Sequence, residues 1–178
     1  MKPIYLVILL PALLVVPACQ PSTVVVGGQM KLADSDSAAY LDRTSSQPTV
    51  TEAQALNGLL LMLGEKADMS FEQAVALVKQ RKIADACWDF QADRPVTRGR
   101  VAYMIYQACR LPGGLTLTLT GPSQRYCLRE LQYQGFMSQG LPYNTVTGLE
   151  YVSVLTRADE YRQTGKVSEV LAPGPGEE

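Results

Sequence analysis

The sequence predicts a mainly α-helical domain assembled from three related units, and three observations carry that prediction. A Val-Thr pair opening an apolar-periodic run occurs three times, at Val50-Thr51, Val96-Thr97 and Val146-Thr147. The threonines are 46 and 50 residues apart, a spacing at which a repeated supersecondary unit is the first idea to test. The segments after the pairs place apolar residues at helical intervals. Finally, the chain has 178 residues of which 47% are apolar, enough for one domain with a real core.

Taken in order, the chain opens with a targeting segment. Lys2 supplies a positive start, residues 4–16 are apolar but too few to span a bilayer, and Val16-Pro17-Ala18-Cys19 closes the stretch. A small residue before a cysteine at this point resembles a bacterial lipobox. That resemblance implies removal of residues 1–18, diacylglycerol on the Cys19 sulfur and export as a membrane-anchored lipoprotein. In a two-membrane envelope the same resemblance implies, from Gln20 after the cysteine, sorting to the outer membrane, facing the periplasm or the cell surface. An ordinary secretory peptide cut after Ala18 is the alternative, and it exports the chain as well. Residues 19–47 are rich in Ser, Thr, Asp and Gly, a composition that buries little surface, and are expected to be a flexible tether.

The helical domain is expected over residues 48–161. Each Thr of the repeated pair is placed to cap a helix, and a Gln or Glu three residues on completes a capping box at Thr51-Gln54 and Thr147-Glu150, whereas Thr97 is followed by Arg100. The preceding valines stand where a hydrophobic staple would pack. The first helix runs from Thr51 to Leu63 with Leu56, Leu59, Leu60 and Leu63 on one stripe, and Gly64 terminates it. Gly58 either weakens it or permits close helix contact. Ser70, supported by Gln73, caps the second. The third follows Thr97 and buries Val101, Met104, Ile105 and Ala108. Leu115-Thr116-Leu117-Thr118-Leu119-Thr120 alternates strictly and predicts a short extended segment over residues 115–120. Ser123 or its neighbours cap a helix over residues 124–134, and the last helix runs from Gly148 to about Tyr161. Residues 162–178, with two Pro-Gly pairs, are expected to be a disordered tail.

Composition narrows the function. No histidine is present, so the usual general base, the usual zinc ligand and every Ser-His or Cys-His arrangement are missing. A net charge of −1 gives the chain as a whole no electrostatic footprint for nucleic acid or for an anionic membrane. Glu130 and Glu150, or Asp85, Asp89 and Asp93, form no matched acid-base motif, and Trp88 and Phe90 interrupt the acidic trio as a calcium loop. No catalytic residue, metal or cofactor is expected, and the chain is read as a binding module rather than an enzyme. Among the cysteines, a helix from Arg98 to Cys109 is roughly 18 Å long, which separates Cys87 from Cys109. The predicted disulfide is Cys109 to Cys127; three buried thiols are the alternative.

Helix, aromatic loop, short extended step and Thr-initiated helix follow one another in an order that resembles the S-layer homology module. Val96-Thr97-Arg98-Gly99-Arg100 is the closest match to that family's Ile-Thr-Arg-Ala-Glu phrase; Thr51-Glu52-Ala53-Gln54 and Thr147-Gly148-Leu149-Glu150 are weaker ones. The resemblance covers roughly residues 48–161 and implies a pseudo-threefold helical bundle that binds cell-wall polysaccharide in grooves between units. Carried onto this chain, it implies ligand contacts from Arg98, from the Gly99 backbone and from Trp88 as a stacking face. A solvated Arg98 and a core-packing Trp88 are the structural alternatives. The partners implied are a membrane through the N-terminal lipid and a cell-wall polymer, or else an envelope protein held by the same bundle.

Overall fold

The computed structural model describes residues 37–65 and 69–167. Among them the chain forms seven helices and no sheet: α1 (Ser37–Ser45), α2 (Glu52–Met62), α3 (Phe71–Gln80), α4 (Arg98–Cys109), α5 (Leu115–Thr120), α6 (Gln124–Tyr133) and α7 (Gly148–Thr164). The targeting segment, Cys19 and residues 168–178 lie outside the described residues.

The three Val-Thr pairs meet on one axis. Val96 N–H donates to Val50 O (2.8 Å), Val146 N–H to Val96 O (3.2 Å) and Val50 N–H to Val146 O (3.0 Å). The ring of three backbone bonds is closed, and all three valines are fully buried. Its cause is local. Thr51, Thr97 and Thr147 are extended, with ψ of 163°, 153° and 159°, so the valine before each lies outside the helix ladder. Its buried amide and carbonyl need partners, and only the other two copies supply them. The bundle is therefore pseudo-threefold about the axis from which α2, α4 and α7 start, with α7 packed against both of the others.

Each threonine hydroxyl accepts from the amide three residues on. The box closes at Thr51-Gln54, and Ser70-Gln73 forms a second one. At Thr147 the cap is present but the expected box is not, because the Glu150 carboxylate is drawn to Arg98 and Ser138. Gly58 serves close contact: a Cβ there would lie 2.9 Å from Tyr151 and Leu155. Tyr151 is 1% exposed and its hydroxyl donates to Ala55 O.

Four expectations are corrected. The expected flexible tether over residues 19–47 reaches too far, since α1 packs on α2 and α7 with Tyr40 and Thr44 buried. A polar average concealed the adjacent apolar pair Tyr40 and Leu41, and the Tyr40 hydroxyl donates to Gln54 O. Residues 115–120 form helix α5 instead of a strand. No neighbouring strand among the described residues offers them a ladder, and the threonines turn back on the helix, Thr118 Oγ1 donating to Gly114 O and Thr120 Oγ1 to Thr116 O. The last helix continues to Thr164, where Gly165 at φ 73° ends it, so the expected tail boundary falls inside α7. Lastly, Cys109 and Cys127 are free thiols. Cys109 turns toward α7, its sulfur 3.8 Å from Ala158 O, while Cys127 is fully enclosed on α6.

Candidate functional site

The seams between units are where helix N-termini, loops and charged side chains converge. The main-chain contacts repeat. Glu52 and Ala53 donate to Arg94 O and Ala92 O, and Arg98 and Gly99 donate to Asn144 O and Pro142 O, one unit on. The side chains repeat with reversed sign. In the first seam Glu52, the first residue of α2, meets Arg100, the third residue of α4; in the second, Arg98, the first residue of α4, meets Glu150, the third of α7. At the third seam the corresponding residues are Gly148 and Gln54. There Gly148 N–H donates to Gln47 O at 2.9 Å, and the end of α1 fills the space.

Glu52 is 1% exposed and fully satisfied. Arg94 donates to it through Nε and Nη2, both at 3.0 Å, the Gln91 amide adds a bond of 2.9 Å, and Arg100 supplies a further donor. The Arg94 guanidinium is held above its ordinary pKa, chiefly by its hydrogen bond to Glu52. The Arg100 guanidinium lies 5.0 Å from the Trp88 ring and 5.3 Å from Phe90, and Trp88 also packs on Tyr103. Trp88 is thus a half-buried wall of the first seam.

In the second seam Arg98 is 7% exposed. Its Nη1 lies 2.7 Å from Glu150 Oε1, and Nη2 donates to Ser138 O and, at 3.2 Å, to Ser138 Oγ. Ser138 Oγ also lies 3.2 Å from Glu150 Oε1, while Gln132 Nε2 holds the loop by donating to Ser138 O and Gly140 O. The guanidinium is covered by the Gly140 backbone, where a Cβ would come within 2.8 Å of Cζ. Arg98 Nε is buried with no partner, the one such side-chain atom among the described residues. Arginine at the first turn opposes the helix dipole, and the Glu150 carboxylate offsets this.

Arg98 and Trp88 therefore stand on successive seams and do not share one groove. Gly99 adjoins the Arg98 seam as a close-approach residue: a Cβ would lie 3.0 Å from Gln124 and from Pro142 O. Glu52, Arg100, Glu150, Ser138 and Gln132 were missed as site residues. The signal for Glu52, Arg100 and Glu150 was present in the aligned copies, where the first and third helical positions read Glu and Gln, Arg and Arg, Gly and Glu; Ser138 and Gln132 stand outside those positions and carried no such signal. No group of three or more His, Cys, Asp or Glu side chains among the described residues could hold a metal ion. Glu130 is engaged by Gly114 N–H and Gln134, away from Glu150. No protein-family model matches the chain, and no curated protein or solved structure matches it significantly.

Proposed function

We propose that the chain is an exported lipoprotein, acylated at Cys19 and held at the outer membrane, whose helical domain is an S-layer-homology-like binding module rather than an enzyme. Its ligand is a cell-wall polysaccharide or another envelope component, taken at the seam between the second and third units. The observation that carries this reading is the unmet Arg98 Nε donor. A buried donor without a partner costs about 1–3 kcal/mol, and a sugar hydroxyl or acidic substituent entering as the 138–140 loop moves aside supplies the acceptor. Sedimentation with purified cell wall tests it. Arg98→Gln, checked for folding by circular dichroism, should lower binding at least about tenfold, and Trp88→Ala, on the neighbouring seam, should change it little. Wall binding indifferent to Arg98→Gln removes the seam as the site. The anchor is read separately, by the intact mass of the membrane-extracted chain against Cys19→Ser.

A structural lipoprotein that grips a protein partner is the second reading, favoured by one observation. Leu141, Tyr143 and Leu149 are 50%, 70% and 70% exposed, at places where the second unit carries Gln91, Asp93 and Gly99. Absence of wall binding together with protein cross-links from Tyr143 would select it.

A further inference from the structure

The connection from α4 to α6, residues 110–123, is six residues longer than the one from α2 to α3, residues 63–70. Helix α5 is the addition, and it is firmly seated. Leu117 is buried, Gly114 N–H donates to Glu130 Oε2 at 3.3 Å, and Gln134 Nε2 donates to Pro112 O at 3.3 Å. Yet α5 turns its other two leucines outward. Leu115 and Leu119, one turn apart, are 78% and 75% exposed, and Tyr133 on the adjoining α6 is 88% exposed.

Three such side chains cost solubility and contribute almost nothing to the core, so a seated element that displays them marks a contact surface. Leu115 and Leu119 protrude instead of lining a cleft, which suits a soft medium better than a rigid partner. Arg125 and Arg129, also exposed, lie one turn apart on α6, and none of the ion pairs among the described residues engages them. Between the helices is a hollow of about 230 Å³ lined by Thr116, Leu117, Tyr126, Arg129, Glu130 and Tyr133, among others. Leucine and tyrosine beside unpaired arginine is the chemistry of an interfacial membrane contact. A second copy of the chain would bring the arginines of both faces together, and that repulsion disfavours it.

We propose that the α5–α6 face rests on an anionic bilayer surface, with Leu115, Leu119 and Tyr133 entering the headgroup region and Arg125 and Arg129 meeting lipid phosphates. The proposal deepens the envelope reading, which brings a bilayer within reach, but its test uses no lipid anchor. The chain from Gln20 to Glu178, which keeps every described residue, is floated with vesicles of phosphatidylglycerol and phosphatidylethanolamine, or of phosphatidylcholine alone. Preferential partition onto the anionic vesicles is expected, weakening with salt, by about fivefold for each of Arg125→Gln and Arg129→Gln. The Leu115→Ser/Leu119→Ser variant, its fold checked by circular dichroism, should lose about tenfold or more. No partition onto anionic vesicles, or partition undiminished in the leucine variant, overturns the proposal. Concentration-dependent dimerisation abolished by the leucine variant overturns it too, and assigns the face to a second copy. Failure of the anchor is distinguished by the Cys19 mass, which this experiment does not involve.

Discussion

Glu52 and Arg98 hold the same place in successive units, the first residue after a capping threonine, and carry opposite charge. Each pairs with the third helical residue of the next unit, Arg100 or Glu150. One backbone arrangement thus accepts either polarity, which makes charge reversal a test of the symmetry. Arg98→Glu alone sets two carboxylates together in a buried seam and should destabilise the fold by about 3–5 kcal/mol in urea titration. Adding Glu150→Arg reproduces the polarity of the first seam and places the acid at the favourable end of the helix dipole. It should restore at least half of that loss; a double variant no better than the single one would break the equivalence of the seams.

The closed ring at the axis makes a second prediction. Val50, Val96 and Val146 are equally buried and equally bonded. Valine to alanine should therefore cost nearly the same at each, about 2 kcal/mol from lost burial and the cavity left behind. Urea midpoints of the three variants give the comparison. A neutral substitution at any one position would remove it from the shared core.

These relationships explain what was legible beforehand. The caps at Thr51, Ser70, Thr97, Ser123 and Thr147 depend on residues three apart, and such short-range chemistry stands written in the sequence. The repeat was legible but the meeting of the three valines was not: each was read as a staple on its own helix, whereas its backbone groups are satisfied by the other two copies. What failed depended on distant partners. Alternating Leu and Thr at residues 115–120 suits a strand only where another strand is available. Arg98 looked like a free ligand arginine because its neutralising group, Glu150, is 52 positions away and was assigned to a capping box. Helix α1 escaped notice because its docking depends on the missing side chain of Gly148.

Gly148 gives the sharpest steric prediction. A Cβ there would lie 1.8 Å from Thr44 O, and backbone cannot swing aside as a side chain can. Gly148→Ala should therefore lever α1 off the bundle. Hydrogen exchange is expected to accelerate in residues 39–47 by at least about tenfold, with smaller effects in α4 and α6. Gly99→Ala is the control, since its Cβ would meet the flexible Gln124 as well as Pro142 O at 3.0 Å, and should leave α1 protected. Unchanged exchange in Gly148→Ala would mean that α1 is not held at this point.

The buried thiols and phenols set the alkaline limit of the fold. Burial raises Cys127 to about 12 and Cys109 to about 11, against an ordinary 9.0. Burial likewise lifts Tyr40 to about 12 and Tyr151 well above its usual 10.0. The folded chain keeps these protons where the unfolded chain has lost them, so stability attributable to them is complete below pH 9 and falls as pH rises. From pH 9 to 11 the loss approaches, at its steepest, about 1.4 kcal/mol per unit for each thiol, and above pH 10 the two tyrosines steepen it. Urea titrations from pH 7 to 11 should show a plateau and then this decline, and Cys127→Ala should flatten it by one thiol's share. At pH 8 a thiol reagent should react rapidly only with exposed Cys87 among the three described cysteines. Rapid labelling of Cys127 in the folded chain, or stability flat to pH 11, would show that these groups are open to water.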